Sequence, residues 1–227
     1  HTLLTGFELG RQTTDNLRMT GYFNGSDRTS VTMPLSQPTA LQSLNFRPSA
    51  TDANNHGIAE NVAVYGQDQI DLTAHLQAIV GLRYDQFQLR LRNNRTGTEV
   101  SAKDQLWSPR AGLVYKPMDT VAVYASYSRS FIPRAGDQLS SLTTANQALD
   151  PESFRNHEVG VKWDLRPDLS VTGALYRLDR TNVAVADPIN PQQFILIDGQ
   201  TSKGLELGIN GQIRPGWTLA GGYAYQE

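Results

Sequence analysis

Residues 156–164 read Asn156-His-Glu-Val-Gly-Val-Lys-Trp-Asp164, with an apolar or aromatic side chain at every second position and polar, charged or glycine residues between them. This period of two predicts a β-strand with one apolar and one polar face. Residues 198–214 repeat the pattern over a longer stretch. Two folds produce such strands. In a soluble sandwich the apolar face looks inward, whereas in an outer-membrane barrel it faces lipid and the charged face lines a wet lumen.

The overall composition does not separate these two folds. The chain has 227 residues, of which 39% are hydrophobic, and its mean hydropathy is -0.41. A transmembrane barrel carries its membrane signal in alternation, so a polar average is compatible with it. No apolar run approaches the roughly 20 residues of a spanning helix. The net charge of -2 offers no basic footprint for nucleic acid, which we exclude as a partner.

The residue types that carry catalysis and metal binding are scarce. Cysteine is absent, which excludes disulfides, thiolate nucleophiles and cysteine-based zinc sites. No Gly-x-Ser-x-Gly motif occurs, and the glycines at 204, 208 and 211 lie within a strand pattern, where they open no phosphate-binding helix. We therefore expect neither an enzyme nor a protein metal site. No two histidines have ligand spacing on one element; they are His1, His56, His75 and His157.

Nine strands are predicted, each bounded by turn or loop chemistry, and helical periodicity is nowhere sustained. The strands are 2–11, 58–71, 76–91, 105–116, 120–131, 154–165, 169–180, 195–213 and 217–226. Short connections (72–75, 117–119, 166–168 and 214–216) alternate with long ones (12–57, 92–104, 132–153 and 181–194). This places all short turns at one end of an up-and-down antiparallel sheet, as in a transmembrane barrel.

The faces of the predicted strands also favour a barrel. In 76–91, the alternating apolar residues occupy even-numbered positions as far as Tyr84. Beyond it they occupy odd-numbered positions, at Phe87, Leu89 and Leu91. Such a phase slip predicts a bulge or a strand that leaves the membrane. Tyr115, Trp163 and Trp217 all fall near short turns, which predicts an aromatic girdle at one interface. Several strands reach about 12 residues, whereas sandwich strands average about five or six.

Nine short motifs follow one another along most of the chain. They are Thr2-Leu-Leu-Thr-Gly-Phe-Glu8, Ser108-Pro-Arg-Ala-Gly-Leu-Val-Tyr-Lys-Pro117, Val123-Tyr-Ala-Ser-Tyr-Ser-Arg-Ser-Phe131, Leu149-Asp-Pro-Glu152, Glu158-Val-Gly-Val-Lys162, Arg180-Thr-Asn-Val183, Lys203-Gly-Leu-Glu-Leu-Gly208, Gly216-Trp217 and Gly222-Tyr223. In this order and spacing they resemble the barrel strands of TonB-dependent siderophore receptors.

The resemblance implies a 22-stranded barrel in the bacterial outer membrane, filled by a plug domain. It also implies uptake of a ferric siderophore, driven by the TonB-ExbB-ExbD complex through the plug. Iron would arrive wrapped in its chelator, so no cofactor is expected. We interpret residues 1–227 as part of the barrel domain, about nine of its strands, with the plug and the C-terminal strands absent from this sequence.

Two sets of residues are candidates for function. Aromatic and arginine side chains in long loops suit a compact, anionic chelate, which makes Tyr22, Phe23, Arg28, Arg47 and Arg134 candidate ligand contacts. The alternative for these is ordinary loop packing. A second set lies on the predicted lumen face, where the residues contact the plug or simply form a polar wall: Arg83, Arg110, Glu158, Lys162 and Glu206.

Three other functions stay open at this point. One is a TonB-dependent receptor for another nutrient, such as a cobalamin or a carbohydrate. Another is a passive porin, and the third is a soluble β-sandwich or propeller that binds a ligand.

Overall fold

The computed structural model describes residues 1–23, 25–39, 42–133, 142–191 and 193–227, and these residues form thirteen strands. The strands are β1 (Thr2–Leu17), β2 (Thr20–Phe23), β3 (Leu44–Arg47), β4 (Asn54–Asp71), β5 (Leu76–Asn93), β6 (Glu99–Met118), β7 (Val121–Ile132), β8 (Glu152–Arg166), β9 (Leu169–Thr181), β10 (Val183–Ala186), β11 (Phe194–Ile197), β12 (Gln200–Arg214) and β13 (Trp217–Gln226). The part of the chain that the structure describes contains no helix long and apolar enough to cross a membrane.

Nine long strands form one antiparallel sheet in the order β1-β4-β5-β6-β7-β8-β9-β12-β13. Every long strand pairs with the next long strand of the chain, so the predicted all-β, up-and-down antiparallel architecture is confirmed. Two small hairpins, β2-β3 and β10-β11, stand apart from this sheet. The β2-β3 hairpin lies within the predicted long connection 12–57, and the β10-β11 hairpin joins β9 to β12 and runs past the predicted connection 181–194. Both are therefore at the loop end, which we call the external end.

The two faces of the sheet differ in chemistry. On β8, Val161 and Trp163 are 40% and 48% exposed, although both are large and apolar. Cross-strand pairing places the exposed apolar side chains of neighbouring strands on this same face; among them are Leu113, Tyr115, Val123, Val159, Leu175, Leu207 and Tyr223. A soluble sheet buries such a face, whereas a membrane wall presents it to lipid. We call it the outer face and the opposite one the inner face.

The three predicted girdle aromatics lie where the sequence places them. Tyr115, Trp163 and Trp217 are all exposed, and all three are on the outer face near the short-turn end. The short turns after β6, β8 and β12 each follow a register shift, which lies between Tyr115 and Met118 in the first case. Aromatic rings at this height suit the interface between hydrocarbon and headgroups.

The predicted long connection at 92–104 is wrong. β5 runs on to Asn93 and β6 begins at Glu99, so a tight turn joins them. Within the turn the Asn93 side chain accepts hydrogen bonds from the amides of Arg95 (2.9 Å) and Thr96 (3.3 Å). Gly97 supplies the positive φ of 72° that the turn requires.

The phase slip in β5 does not come from a bulge, which is one of the two explanations that the sequence allows. The ladders of β5 with β4 and β6 are continuous over their whole paired length. The inner face instead becomes apolar above Tyr84, and there a buried cluster forms from Ala59, Leu89, Leu91, Val100, Ala102 and Leu142, with Phe87 packed against it. The outer face becomes polar at the same height, from Gln86 to Arg92. The hairpin therefore extends beyond the membrane, where apolar residues turn inward.

The predicted strand 195–213 is in fact two strands. β11 ends at Ile197 and β12 begins at Gln200. Gly199 between them has a φ of 77°. A Cβ at this position would clash with the Arg180 carbonyl oxygen. The chain therefore turns sharply here, and alternation of side chains alone does not reveal the break.

Candidate functional site

The β2-β3 hairpin gathers four of the five predicted ligand contacts at the external end. The guanidinium of Arg47 lies 4.1 Å from the ring centroid of Tyr22, and it also pairs with the Asp27 carboxylate. The amide of Phe23 donates to the main-chain oxygen of Arg28 at 2.9 Å. Tyr22, Phe23 and Arg47 line a shallow pocket of about 300 Å³. The fifth residue, Arg134, lies outside the described residues.

Asp52 closes the base of this hairpin. Its side chain is 1% exposed, and it accepts hydrogen bonds from Ser49 N (2.7 Å), Thr20 Oγ1 (2.8 Å), Arg18 Nε (2.9 Å) and Thr20 N (2.9 Å). Burial by itself raises the pKa of Asp52, but these donors together outweigh it and lower the pKa from 3.8 to about 2. The carboxylate is therefore charged at neutral pH and ties both ends of the hairpin together.

Arg95 holds the same segment from the neighbouring turn. Its guanidinium donates to the carbonyl oxygens of Ser49 (2.6 Å), Ala50 (3.1 Å) and Asp52. The rigid turn at Asn93–Gly97 directs Arg95 toward this segment. No sequence pattern marks Asp52 and Arg95 as partners, because they lie 43 positions apart and in different connections.

A cleft opens between β6 and β7 because their pairing stops early. The ladder runs from Met118–Val121 to Arg110–Ser128 and goes no further toward the external end. The next residue of β6 is Pro109, which has no amide hydrogen to donate to a ladder. The resulting pocket has a volume of about 550 Å³; its lining includes Arg83, Asp85, Phe87, Leu106, Arg110, Arg129 and Phe131.

The arginines of this cleft are held in different ways. Arg83 forks onto Asp85 (2.7 and 2.8 Å) and also reaches Glu8 (3.0 Å). Arg129 donates to Ser153 Oγ at 2.9 Å, and its guanidinium lies 4.6 Å from the Phe131 ring centroid. The sequence does not single out Phe87, Arg129 or Phe131 as site residues, since their proximity depends on where the β6-β7 ladder ends.

Arg110 is exposed on the inner face, and the aliphatic part of its side chain lies beside Gly81. A Cβ on Gly81, in the neighbouring strand, would stand 3.0 Å from the Cγ of Arg110. Glycine at that position therefore makes the room that the arginine needs. Arg83 and Arg110, which the sequence assigns to the lumen face, thus meet in one pocket.

The register places all five predicted lumen residues on the inner face. Glu158 accepts a hydrogen bond of 2.5 Å from the Tyr124 hydroxyl, and Lys162 lies 3.5 Å from the Asp164 carboxylate. Among the described residues no group of three His, Cys, Asp or Glu side chains comes together to hold a metal ion. Contact of these five residues with a plug stays a prediction.

A family model described as "TonB dependent receptor-like, beta-barrel" matches residues 1–227. The chain belongs to this TonB-dependent receptor family. Proteins of the family are receptors and transporters of the bacterial outer membrane, so the apolar outer face lies against outer-membrane lipid.

Individual relatives agree with the family assignment. The probable TonB-dependent siderophore receptor PiuA of Acinetobacter baumannii is 30% identical over 254 residues, which cover 100% of this chain and 33% of PiuA. The metal-pseudopaline receptor CntO of Pseudomonas aeruginosa is 32% identical over 232 residues, or 99% of this chain and 31% of CntO. The chain thus spans about a third of the length of these relatives.

Solved structures show the same barrel wall. The crystal structure of PiuA from Acinetobacter baumannii superposes with a TM-score of 0.74 at 26% identity, over 99% of this chain and 35% of that one. The open sheet described above is therefore a section of a TonB-dependent receptor barrel, and the alternative of a soluble sandwich is excluded.

Proposed function

We propose that this TonB-dependent receptor section supplies part of the wall and external loops of a receptor that takes up a ferric siderophore. The observation that carries the proposal is a pair of features: an anchored external hairpin that presents Tyr22, Phe23 and Arg47, and a cleft between β6 and β7 that contains three arginines. Aromatic rings and guanidinium groups suit a compact chelate that is rimmed with oxygen atoms. The names of PiuA and CntO support this ligand class.

In the proposed mechanism the ligand is captured by the external loops and by the apex of a plug domain. The TonB-ExbB-ExbD complex then rearranges the plug and opens a path along the inner face. Iron is cargo within its chelator, so the proposal assigns no cofactor, no protein metal ligand and no catalytic step to this chain. The polar inner face, with residues such as Glu158 and Lys162, provides the wet wall of that path.

The proposal is tested with the full-length receptor in a strain that lacks its own copy. We expect uptake of radioactive iron from at least one siderophore, and we expect uptake to stop when TonB is deleted. A passive porin would transport without TonB. A receptor for another nutrient would leave iron uptake unchanged and would instead restore growth on a cobalamin or a carbohydrate. Either outcome would reject the proposal.

The role of the hairpin is tested separately by replacing Tyr22, Phe23, Arg28 and Arg47 with alanine together. Losing an aromatic stack and a charged contact should weaken siderophore binding at least tenfold. Arg134→Ala tests the remaining predicted contact. The control is Arg92→Ala, an exposed arginine on the outer face of β5. Affinity equal to that of the control would exclude the hairpin from ligand capture.

A further inference from the structure

The cleft between β6 and β7 has an excess of positive charge. Its described lining residues include three arginines, Arg83, Arg110 and Arg129, and one acidic residue, Asp85. Glu8 also pairs with Arg83, so three positive charges stand against two negative charges and leave a net charge of +1. The walls of the cleft include the apolar side chains of Phe87 and Phe131. Arg83 and Arg129 are half-buried among these residues, whereas Arg110 is exposed and can be reached by a ligand.

Among the described residues that line this cleft, Arg110 is the cation that is open to a ligand. Arg83 is engaged by Asp85 and Glu8, and Arg129 is bonded to Ser153. Among the described carboxylates, none pairs with Arg110 within 4.0 Å. The Cγ and Cδ atoms of Arg110 lie in the space that Gly81 leaves. This contact uses none of the N–H donors of the guanidinium group.

We propose that this cleft binds the anionic face of the chelate, with Arg110 as the specificity-determining contact. Oxygen atoms of the ligand accept from the Arg110 fork, and an aromatic or amide rim packs against Phe87, which lies on the same inner face. A neutral chelate gains nothing from this charge, so the cleft selects anionic siderophores over neutral ones. The inference rests on the proposed function and adds a second subsite to the β2-β3 hairpin.

The test uses the purified full-length receptor and two probes: a strongly anionic ferric tris-catecholate and a neutral ferric tris-hydroxamate. Binding is followed by quenching of tryptophan fluorescence at low and high salt. The variants are Arg110→Gln and Arg110→Lys. The matched control is Lys103→Gln, because Lys103 is an exposed cation on the same strand that faces outward. Heat-modifiable gel migration checks that each variant is folded.

We expect the receptor to bind the anionic probe more tightly than the neutral one. Arg110→Gln should weaken binding of the anionic probe by roughly tenfold to a hundredfold, as expected for a lost charged hydrogen bond. Arg110→Lys should retain part of the affinity, because it keeps the charge and loses the fork. Added salt should weaken anionic binding in the wild type and have little effect in Arg110→Gln.

Three results would overturn the inference. Equal effects of Arg110→Gln and Lys103→Gln would show that the cleft does not contact the ligand, as would be seen if an acidic side chain of the plug occupied Arg110. A wild-type preference for the neutral probe would refute charge selection. In both cases the proposed function stands. Binding of no ferric chelate by the wild type would reject the proposed function together with this inference.

Discussion

Arg18 donates its Nε hydrogen to Oδ1 of Asp52 at 2.9 Å, and this pair closes the base of the external hairpin. The arginine is largely exposed, whereas the carboxylate is almost completely buried. Thr20 and Ser49 complete the ring of donors around Asp52. The hairpin that carries Tyr22 and Arg47 is thus anchored at its base by one acidic side chain, which acts together with Arg95 from the neighbouring turn.

Asp52→Asn should loosen the hairpin. The amide has one oxygen in place of two and presents an NH₂ group to donors that need an acceptor, so the convergent network cannot be satisfied. We expect several-fold faster tryptic cleavage at Arg28 in the folded full-length receptor. The control is Asp27→Asn, an exposed aspartate within the hairpin. Equal cleavage rates in both variants would contradict the role of Asp52.

Acid should release the hairpin through the same group. The pKa of Asp52 is lowered from 3.8 to about 2, so the folded hairpin binds fewer protons than the released one. Its contribution is fully present above about pH 4 and is lost as the pH falls toward 2. Pepsin cleavage of the loop, corrected for the activity of pepsin on a denatured substrate, should rise across this window. The profile should lack this rise in Asp52→Asn, and a rise of equal size there would refute the assignment.

Arg95→Lys should free residues 49–53 although it keeps the charge. Lysine offers a point charge and cannot donate to three carbonyl oxygens with the fixed geometry of a guanidinium. Losing about 1–2 kcal/mol of hydrogen bonding corresponds to roughly tenfold faster amide hydrogen exchange in this segment. Arg92→Lys, on the adjoining strand, is the matched control. Unchanged exchange in Arg95→Lys would mean that the neighbouring turn does not hold the hairpin.

Alternation of side chains predicts the wall of this receptor well, because the period of a strand is a local property of the sequence. It gives the nine strands and the inner positions of residues such as Arg83 and Glu206. It fails over residues 92–104, where outward Arg92 and Lys103 look like loop residues although both lie in strands. Their inward neighbours, Leu91 and Ala102, belong to the buried cluster with Leu142, which comes from a distant loop.

The candidate sites are less predictable for a related reason. The hairpin residues are recognisable by type, yet their anchorage depends on Asp52 and Arg95, which are distant in sequence. Pro109 is visible in the sequence, but the cleft beside it depends on the length of the β6-β7 ladder. Contacts between connections and the end points of ladders are properties of the folded sheet, and a period of two does not encode them.

A charge on the outer face should be far more costly than one on the inner face. Val161 faces outward near the middle of β8, whereas Lys162 faces inward. Val161→Arg should destabilise the full-length barrel in lipid by about 2–4 kcal/mol, which urea unfolding in vesicles would measure. Lys162→Arg keeps the inner charge and should stay within about 0.5 kcal/mol of the wild type. Similar losses in both variants would contradict the face assignment.

Gly160→Ala tests a fit between tyrosine and glycine that recurs on the inner wall. The Tyr124 ring lies across Gly160, and a Cβ there would be 2.5 Å from its Cζ. The ring must move, and its hydrogen bond to Glu158 is then lost. We expect a loss of about 1–3 kcal/mol, measured by urea unfolding of the full-length receptor in vesicles.

Two further variants show whether the loss of stability in Gly160→Ala comes from the Tyr124 ring. Gly112→Ala is the matched control, because its Cβ would meet its nearest neighbour at 3.5 Å, an ordinary contact. In a Tyr124→Leu background, Gly160→Ala should cost much less than in the wild type, since the shorter side chain no longer crosses the strand. Tyr65 over Gly6 and Tyr176 over Gly204 show the same fit. If the effects of the two substitutions on unfolding free energy are additive, glycine at position 160 is required by the backbone of β8 and not by the position of the Tyr124 ring.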